Sequence, residues 1–182
     1  MSRLPFLLTT SAAVAFASCK TDSETCGIGD ATTTIAATGA GLTFTYGSLM
    51  GGANNDCPDP NAPEGVVSIT IQAQQTDGTG FMTLCIPRID ELEQSGGVIG
   101  GTTTGDVRVV DVDGMSSGCS ITAASGMMAS GTASAAGVCS NGTDPAGFAL
   151  TLDAMIPVEK TCAGVVQVTT LTLSGTVAVL PQ

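Results

Sequence analysis

The chain has 182 residues, with five Lys or Arg against 16 Asp or Glu, a formal net charge of −11, and no His. This balance excludes nucleic acid and anionic lipid headgroups as direct partners, because both are bound through Lys and Arg contacts to phosphate. The missing histidine removes Ser-His-Asp and Cys-His catalysis in their usual forms, His-ligated zinc or copper, and the ordinary pH switch.

Residues 4–17 are free of charge and follow one basic residue, Arg3. The stretch is shorter than the roughly 20 residues of a membrane-spanning helix, and small residues follow it, which predicts an export signal. Two cleavage sites compete. A small-x-small site, Ala15-Phe16-Ala17, would be cut before Ser18 and leave seven cysteines. Alternatively, Phe16-Ala17-Ser18-Cys19 resembles the lipobox of bacterial lipoproteins, with Phe where that family usually has Leu. The resemblance covers residues 1–20 alone. It implies a signal peptide over 1–18, a diacylglycerol on the Cys19 thiol with palmitate-type acylation of the new amine, and a short tether over 19–25. Lys20, in place of an inner-membrane retention Asp, implies the outer membrane. Lipidation of Cys19 leaves an even set of six sulfurs, Cys26, Cys57, Cys85, Cys119, Cys139 and Cys162, suited to three disulfides in an oxidising compartment.

The remainder, 26–182, reads as one domain. Aromatics make up only 3% of the chain, so Val, Ile, Leu, Met and Ala must fill the core, and disulfides offset its weakness. Residues 32–37 and 42–46 alternate around Gly39-Ala40-Gly41 and predict a first hairpin. Residues 47–65, rich in Gly, Asn, Asp and Pro, read as a long loop. Val66 to Gln74 alternates, Asp77-Gly78 turns, and Gly80 to Ile86 returns. Pro87 to Gln94 is the one helical candidate, and Ser95 to Gly105 reads as a crossing loop. Further strands are predicted at 107–112, 119–124, 128–138, 148–156 and 165–179, the last with a phase shift at Thr169-Thr170 that suggests a bulge. Nine or ten short strands with turn signals between them predict an all-β, antiparallel β-sandwich of Greek-key or jelly-roll type, stapled by disulfides.

Six cysteines allow fifteen pairings. A hairpin turning near Met128 to Ser130 would set Cys119 opposite Cys139, leaving Cys26 with Cys57 and Cys85 with Cys162 as the sequence-neighbour pairing. No two of the six are close enough in sequence for a zinc ribbon or a redox dithiol. Met115, Met127, Met128 and Met155 read as core filler rather than a copper(I) site.

Carboxylates are the abundant reactive groups. Asp90, Glu91 and Glu93, or Asp111 with Asp113, have the residue type for a small carboxylate-dependent hydrolase, although the aromatic platforms of sugar sites are scarce here. Calcium suits the same chemistry: Asp111-Val112-Asp113-Gly114 and the loop holding Asp56 and Asp59 supply oxygens without matching an EF-hand. Turn formation by Asp, Asn and Gly accounts for both loops as well. The expectation is therefore a non-enzymatic, monomeric outer-membrane lipoprotein with no required cofactor, Ca2+ being the candidate. It binds a protein or glycan ligand through loops 47–65 and 95–105 or serves as an envelope structural component. A calcium-dependent adhesive module and a hydrolase stand as alternatives.

Overall fold

The computed structural model describes residues 35–54, 56–64, 67–126, 128–141 and 144–181. The signal peptide, Cys19, the tether, Cys26 and Met127 lie outside the described residues. Ten strands and one helix follow in the order β1 (Ile35–Gly39), β2 (Leu42–Asn54), β3 (Ser68–Gln75), β4 (Phe81–Ile86), α1 (Ile89–Ser95), β5 (Gly97–Gly100), β6 (Val107–Ser116), β7 (Cys119–Ala123), β8 (Ser130–Asn141), β9 (Asp144–Cys162) and β10 (Val165–Pro181). The all-β architecture with disulfides is the one the alternating sequence predicts.

The expected two-layer arrangement is realised as one continuous sheet that closes on itself. From β2 the pairing runs through β3, β4, β6, β7, β9 and β10, and β10 returns to β2. Two short joints, β10 with β2 and β5 with β6, are parallel; the other pairings are antiparallel. Closure leaves one interior. Phe148, Leu150, Leu152, Ala154, Ile156 and Val158 of β9 and Leu171, Leu173, Val177 and Val179 of β10 point into it and are buried. Each large apolar side chain among them contributes about 1.5–3 kcal/mol. Phe44, Tyr46 and Phe148 supply the aromatic mass of the core, whereas Phe81 is 43% exposed.

Three hairpins share one turn chemistry. Ala40-Gly41, Ser117-Gly118 and Ala163-Gly164 all have positive φ at both positions, between +49° and +80°. Two such residues make the I′ turn, whose twist matches that of the strands it joins. These turns connect β1 to β2, β6 to β7 and β9 to β10.

Several expectations are corrected. Among the described residues the structure pairs Cys57 with Cys85 and Cys119 with Cys162, in place of Cys119–Cys139, Cys26–Cys57 and Cys85–Cys162. β7 and β8 do not form a hairpin: β7 lies between β6 and β9, while β8 pairs with the earlier half of β9 and with β5. Cys139 is disulfide-bonded and lies opposite Gly147 near the start of β9, whereas Cys119 lies opposite Cys162 at its end. The Gly-rich start of the long loop is strand: β2 runs to Asn54, and a Cβ on Gly51 would sit 2.7 Å from Val179, so glycine there admits the β10 joint. β5 occupies part of the predicted crossing loop. No bulge marks Thr169-Thr170, where β9 and β10 stay in unbroken register. The apolar residues simply change face, Val166 and Val168 outward, Leu171 and Leu173 inward. Met115, Met128 and Met155 are 52%, 63% and 56% exposed, and Met82 is the core methionine among the described residues.

Candidate functional site: a charged cleft and a fork in the sheet

The loop after β2 is held by its own side chains. Asp56 N–H donates to Asn54 Oδ1 (3.1 Å), Asn54 Nδ2 donates to Asp56 Oδ2 (2.7 Å), and Asn61 N–H donates to Asp59 Oδ1 (2.9 Å). These are Asx-type closures, the local use to which short carboxylates are best fitted. Cys57–Cys85, with Cα atoms 6.2 Å apart, ties the loop to β4, and buried Ser68 accepts from Cys57 N–H (3.3 Å) while donating to Asn54 O (2.9 Å).

Helix α1 has only seven residues and no side-chain N-cap. Burial of Ile89 and Leu92 holds it to the core, and Glu93 pins its far side by accepting from Val138 N–H at 3.0 Å. Its start is organised by Arg88, whose side chain is 13% exposed. The Arg88 guanidinium donates twice to Asp90 (2.9 and 2.8 Å) and pairs with Glu91 (3.0 Å) and Asp59 (3.7 Å). The bidentate bond to Asp90 raises the pKa of Arg88 further and holds that of Asp90 below its ordinary value.

The connection from β5 to β6 closes through Val98 and Asp106. Val98 N–H donates to Asp106 Oδ2 (2.8 Å), and Asp106 N–H donates to Val98 O (2.9 Å). Gly97 permits this approach, because a Cβ there would lie 2.6 Å from that of Asp106. Asp59, Pro87, Arg88, Glu91, Val98, Gly105, Asp106 and Arg108 thereby line a cleft of about 340 Å³. Both predicted contact loops contribute to it. Sequence reasoning missed Arg108, although it is one of only five basic residues. Its Nη1 donates to Cys57 O at a long 3.5 Å, its Nε is buried without a partner, and it takes part in no ion pair among the described residues. Arg108 therefore retains guanidinium donors for an anionic group.

The other candidate residues do not gather. Asp111 and Asp113 share the outer face of β6, and Asp113 Oδ1 accepts from Phe81 N–H at 2.9 Å. Asp56 accepts from Asn54 and Thr70 (3.2 Å at the latter). Among the described residues no group of three or more Cys, Asp or Glu is placed to hold a metal ion.

A second cleft, about 300 Å³, opens where the sheet forks. β6 and β9 are bridged by β7 at one end and by β5 with β8 at the other. The fork begins at Pro157. Ala124 N–H donates to Pro157 O (3.1 Å), but proline has no N–H to return the second bond of that pair. The pairing of β7 with β9 stops there, and Val109, Val110, Ala124, Ala129, Ile156 and exposed Met128 line the slit.

Comparison with protein-family models, curated sequences and solved structures gives no match to this chain.

Proposed function

We propose that this chain is a lipid-anchored envelope protein that acts by binding, tethered to the outer membrane through acylated Cys19. Its recognition surface is the Arg88–Arg108 cleft. The observation that carries the reading is convergence: residues 56–64, residues 98–106 and the start of α1 meet around Arg108, which carries no ion pair among the described residues, on a protein of net charge −11. A ligand group bearing a carboxylate, sulfate or phosphate complements that cation, while Asp59, Glu91 and Asp106 on the rim select against ligands that are anionic throughout.

The disulfides Cys57–Cys85 and Cys119–Cys162 favour an exported protein, since such bonds persist in oxidising compartments. The acids of α1 favour binding over hydrolysis. Asp90 and Glu91 are engaged by Arg88 and Glu93 by the Val138 amide. Asp90 is held below its ordinary pKa, the wrong direction for a general acid.

Intact-mass analysis of the membrane fraction, with and without Cys19→Ser, tests the anchor. A diacylglyceryl cysteine at the N-terminus, and release of the Cys19→Ser chain from the membrane, are expected. A soluble, unmodified wild-type chain overturns the anchor. Titration with acetate and citrate, read on the Arg108 guanidinium resonances, tests the cleft. A saturable shift absent from Arg108→Gln is expected, and no shift overturns the cleft as the binding surface.

A further inference from the structure

Two opposite charges in the Arg88–Arg108 cleft are left unmatched by the protein itself. Arg108 takes part in no ion pair among the described residues, and its Nε is buried without a partner. Asp106 takes part in none either. Its Oδ2 accepts from Val98 N–H at 2.8 Å, and its Oδ1 has no hydrogen bond among the described residues. The two side chains leave the same stretch of chain. Val107 between them is fully buried, so Asp106 and Arg108 turn to the same outer side, with Cα atoms roughly 6–7 Å apart in an extended chain. Even so, they do not pair with each other. The Val98 amide holds Asp106 against Gly97, and Arg108 Nη1 reaches instead to Cys57 O at 3.5 Å.

The other charges of the cleft are matched or nearly so. Arg88 holds Asp90 in a bidentate bond and pairs with Glu91 and Asp59. Glu91 meets Arg88 through Oε1 at 3.0 Å, which leaves Oε2 without a bond among the described residues. Two cations and three acids line the cleft. A ligand that is anionic throughout therefore meets a surplus of negative charge, and one that is cationic throughout meets Arg108. Val98, 57% exposed, and Pro87 add an apolar wall. At about 340 Å³ the cleft lies at the small end of ligand sites, which run from about 300 to 1,000 Å³.

We propose that the cleft takes a zwitterionic α-amino acid, its carboxylate on the Arg108 guanidinium and its ammonium on Asp106 Oδ1 and Glu91 Oε2. The guanidinium fork matches a carboxylate with two parallel hydrogen bonds. An ammonium has three donors and no acceptor, which suits the carboxylate oxygens of Asp106 and Glu91. An α-amino acid carries both charges on one carbon, short enough to sit between side chains that alternate along a single strand. A small side chain then lies against Val98 and Pro87. The ligand matches both unmatched charges at once, and each half of it alone would leave one of them in the cleft without a partner. This inference rests on the binding reading of the Arg88–Arg108 cleft and names the class of ligand; it does not rest on the anchor.

Titration of the full chain in detergent with L-alanine, propionate and ethylammonium at constant ionic strength, read on the Arg108 guanidinium resonances, tests the proposal. L-Alanine is expected to bind at least roughly tenfold more tightly than propionate, which lacks the ammonium, or ethylammonium, which lacks the carboxylate. Asp106→Asn keeps an oxygen for the Val98 amide. It should bring L-alanine down to the level of propionate while propionate binds no more weakly than to wild type. L-Alanine no tighter than propionate overturns the zwitterion and leaves the anion-binding cleft standing. L-Alanine no tighter than ethylammonium, or unaffected by Asp106→Asn, overturns the zwitterion as well. No shift with any of the three overturns the zwitterion and the cleft together.

Discussion

Cys119 and Cys162 face each other across β7 and β9 with Cα atoms 4.4 Å apart, the spacing of an antiparallel pair that exchanges no backbone hydrogen bonds. The bond closes a loop of 43 residues that contains all of β8. Replacing both cysteines by serine should lower stability by about 4 kcal/mol in the chain-entropy account. Denaturant titration of the variant checks this.

The same set of sulfurs decides the anchor. Cys57, Cys85, Cys119 and Cys162 pair among themselves and Cys139 is disulfide-bonded, so under the lipoprotein reading the sequence leaves Cys26 as its partner. Non-reducing peptide mapping should recover a Cys26–Cys139 fragment. A Cys19–Cys139 fragment would instead leave no thiol for the lipid.

Tyr46 is fully buried and donates to Asp113 O at 2.8 Å. Burial, and secondarily the charge of Asp113, raise its pKa well above the ordinary 10.0. The folded state thus holds the phenolic proton more tightly than the unfolded chain. The stability from this group is complete below pH 10 and is lost as pH climbs from there toward the folded pKa. Tyr46→Phe should cost about 1 kcal/mol at neutral pH and flatten the alkaline limb of a stability–pH curve.

Asp90 titrates in the opposite sense. Its hydrogen bonds to Arg88 lower its pKa from 3.8, so its contribution is present above 3.8 and fades as pH falls through the lower folded value. Asp90→Asn should loosen α1 at neutral pH and remove that part of the acid dependence. Amide exchange of Leu92 and Gly96, whose N–H groups bond Arg88 O and Leu92 O, reports it.

Gly114 sits where a Cβ would lie 2.9 Å from both Gln75 Oε1 and the Phe44 ring. Gln75 is 5% exposed and bridges to Met115, accepting from its N–H (3.2 Å) and donating to its O (2.9 Å). Gly114→Ala should therefore destabilise by about 1–3 kcal/mol. Ala163→Asn should act the other way, because Ala163 holds φ +49° and Asn tolerates that region at less than the roughly 1–2 kcal/mol an alkyl side chain costs. Thermal melting ranks the two against wild type.

Strands with one buried face were legible because alternation pins them. The alternating runs Val66 to Gln74, Val107 to Val112 and Phe148 to Ile156 overlap β3, β6 and β9. The helical candidate Pro87 to Gln94 overlaps α1, and Ile89 and Leu92, three residues apart, are its buried pair. What stayed hidden was long-range pairing. Gly51 read as loop because the side chain that needs its small size, Val179, lies at the other end of the chain. The disulfide pattern was hidden for the same reason, since β7 finds β9 rather than its successor β8. Arg108 escaped notice because an isolated arginine carries no motif; only its lack of an ion pair within a cleft distinguishes it.

One absent hydrogen atom shapes the wall of the domain. Because Pro157 interrupts the seam between β7 and β9 at mid-strand, the two halves of the longest pairing in the molecule, β9 with β10, are flanked by different neighbours on either side of that point. A substitution that restores the amide, such as Pro157→Thr, would let the seam zip one pair further and narrow the slit. The width of that opening is thus adjustable at a single position without touching the core.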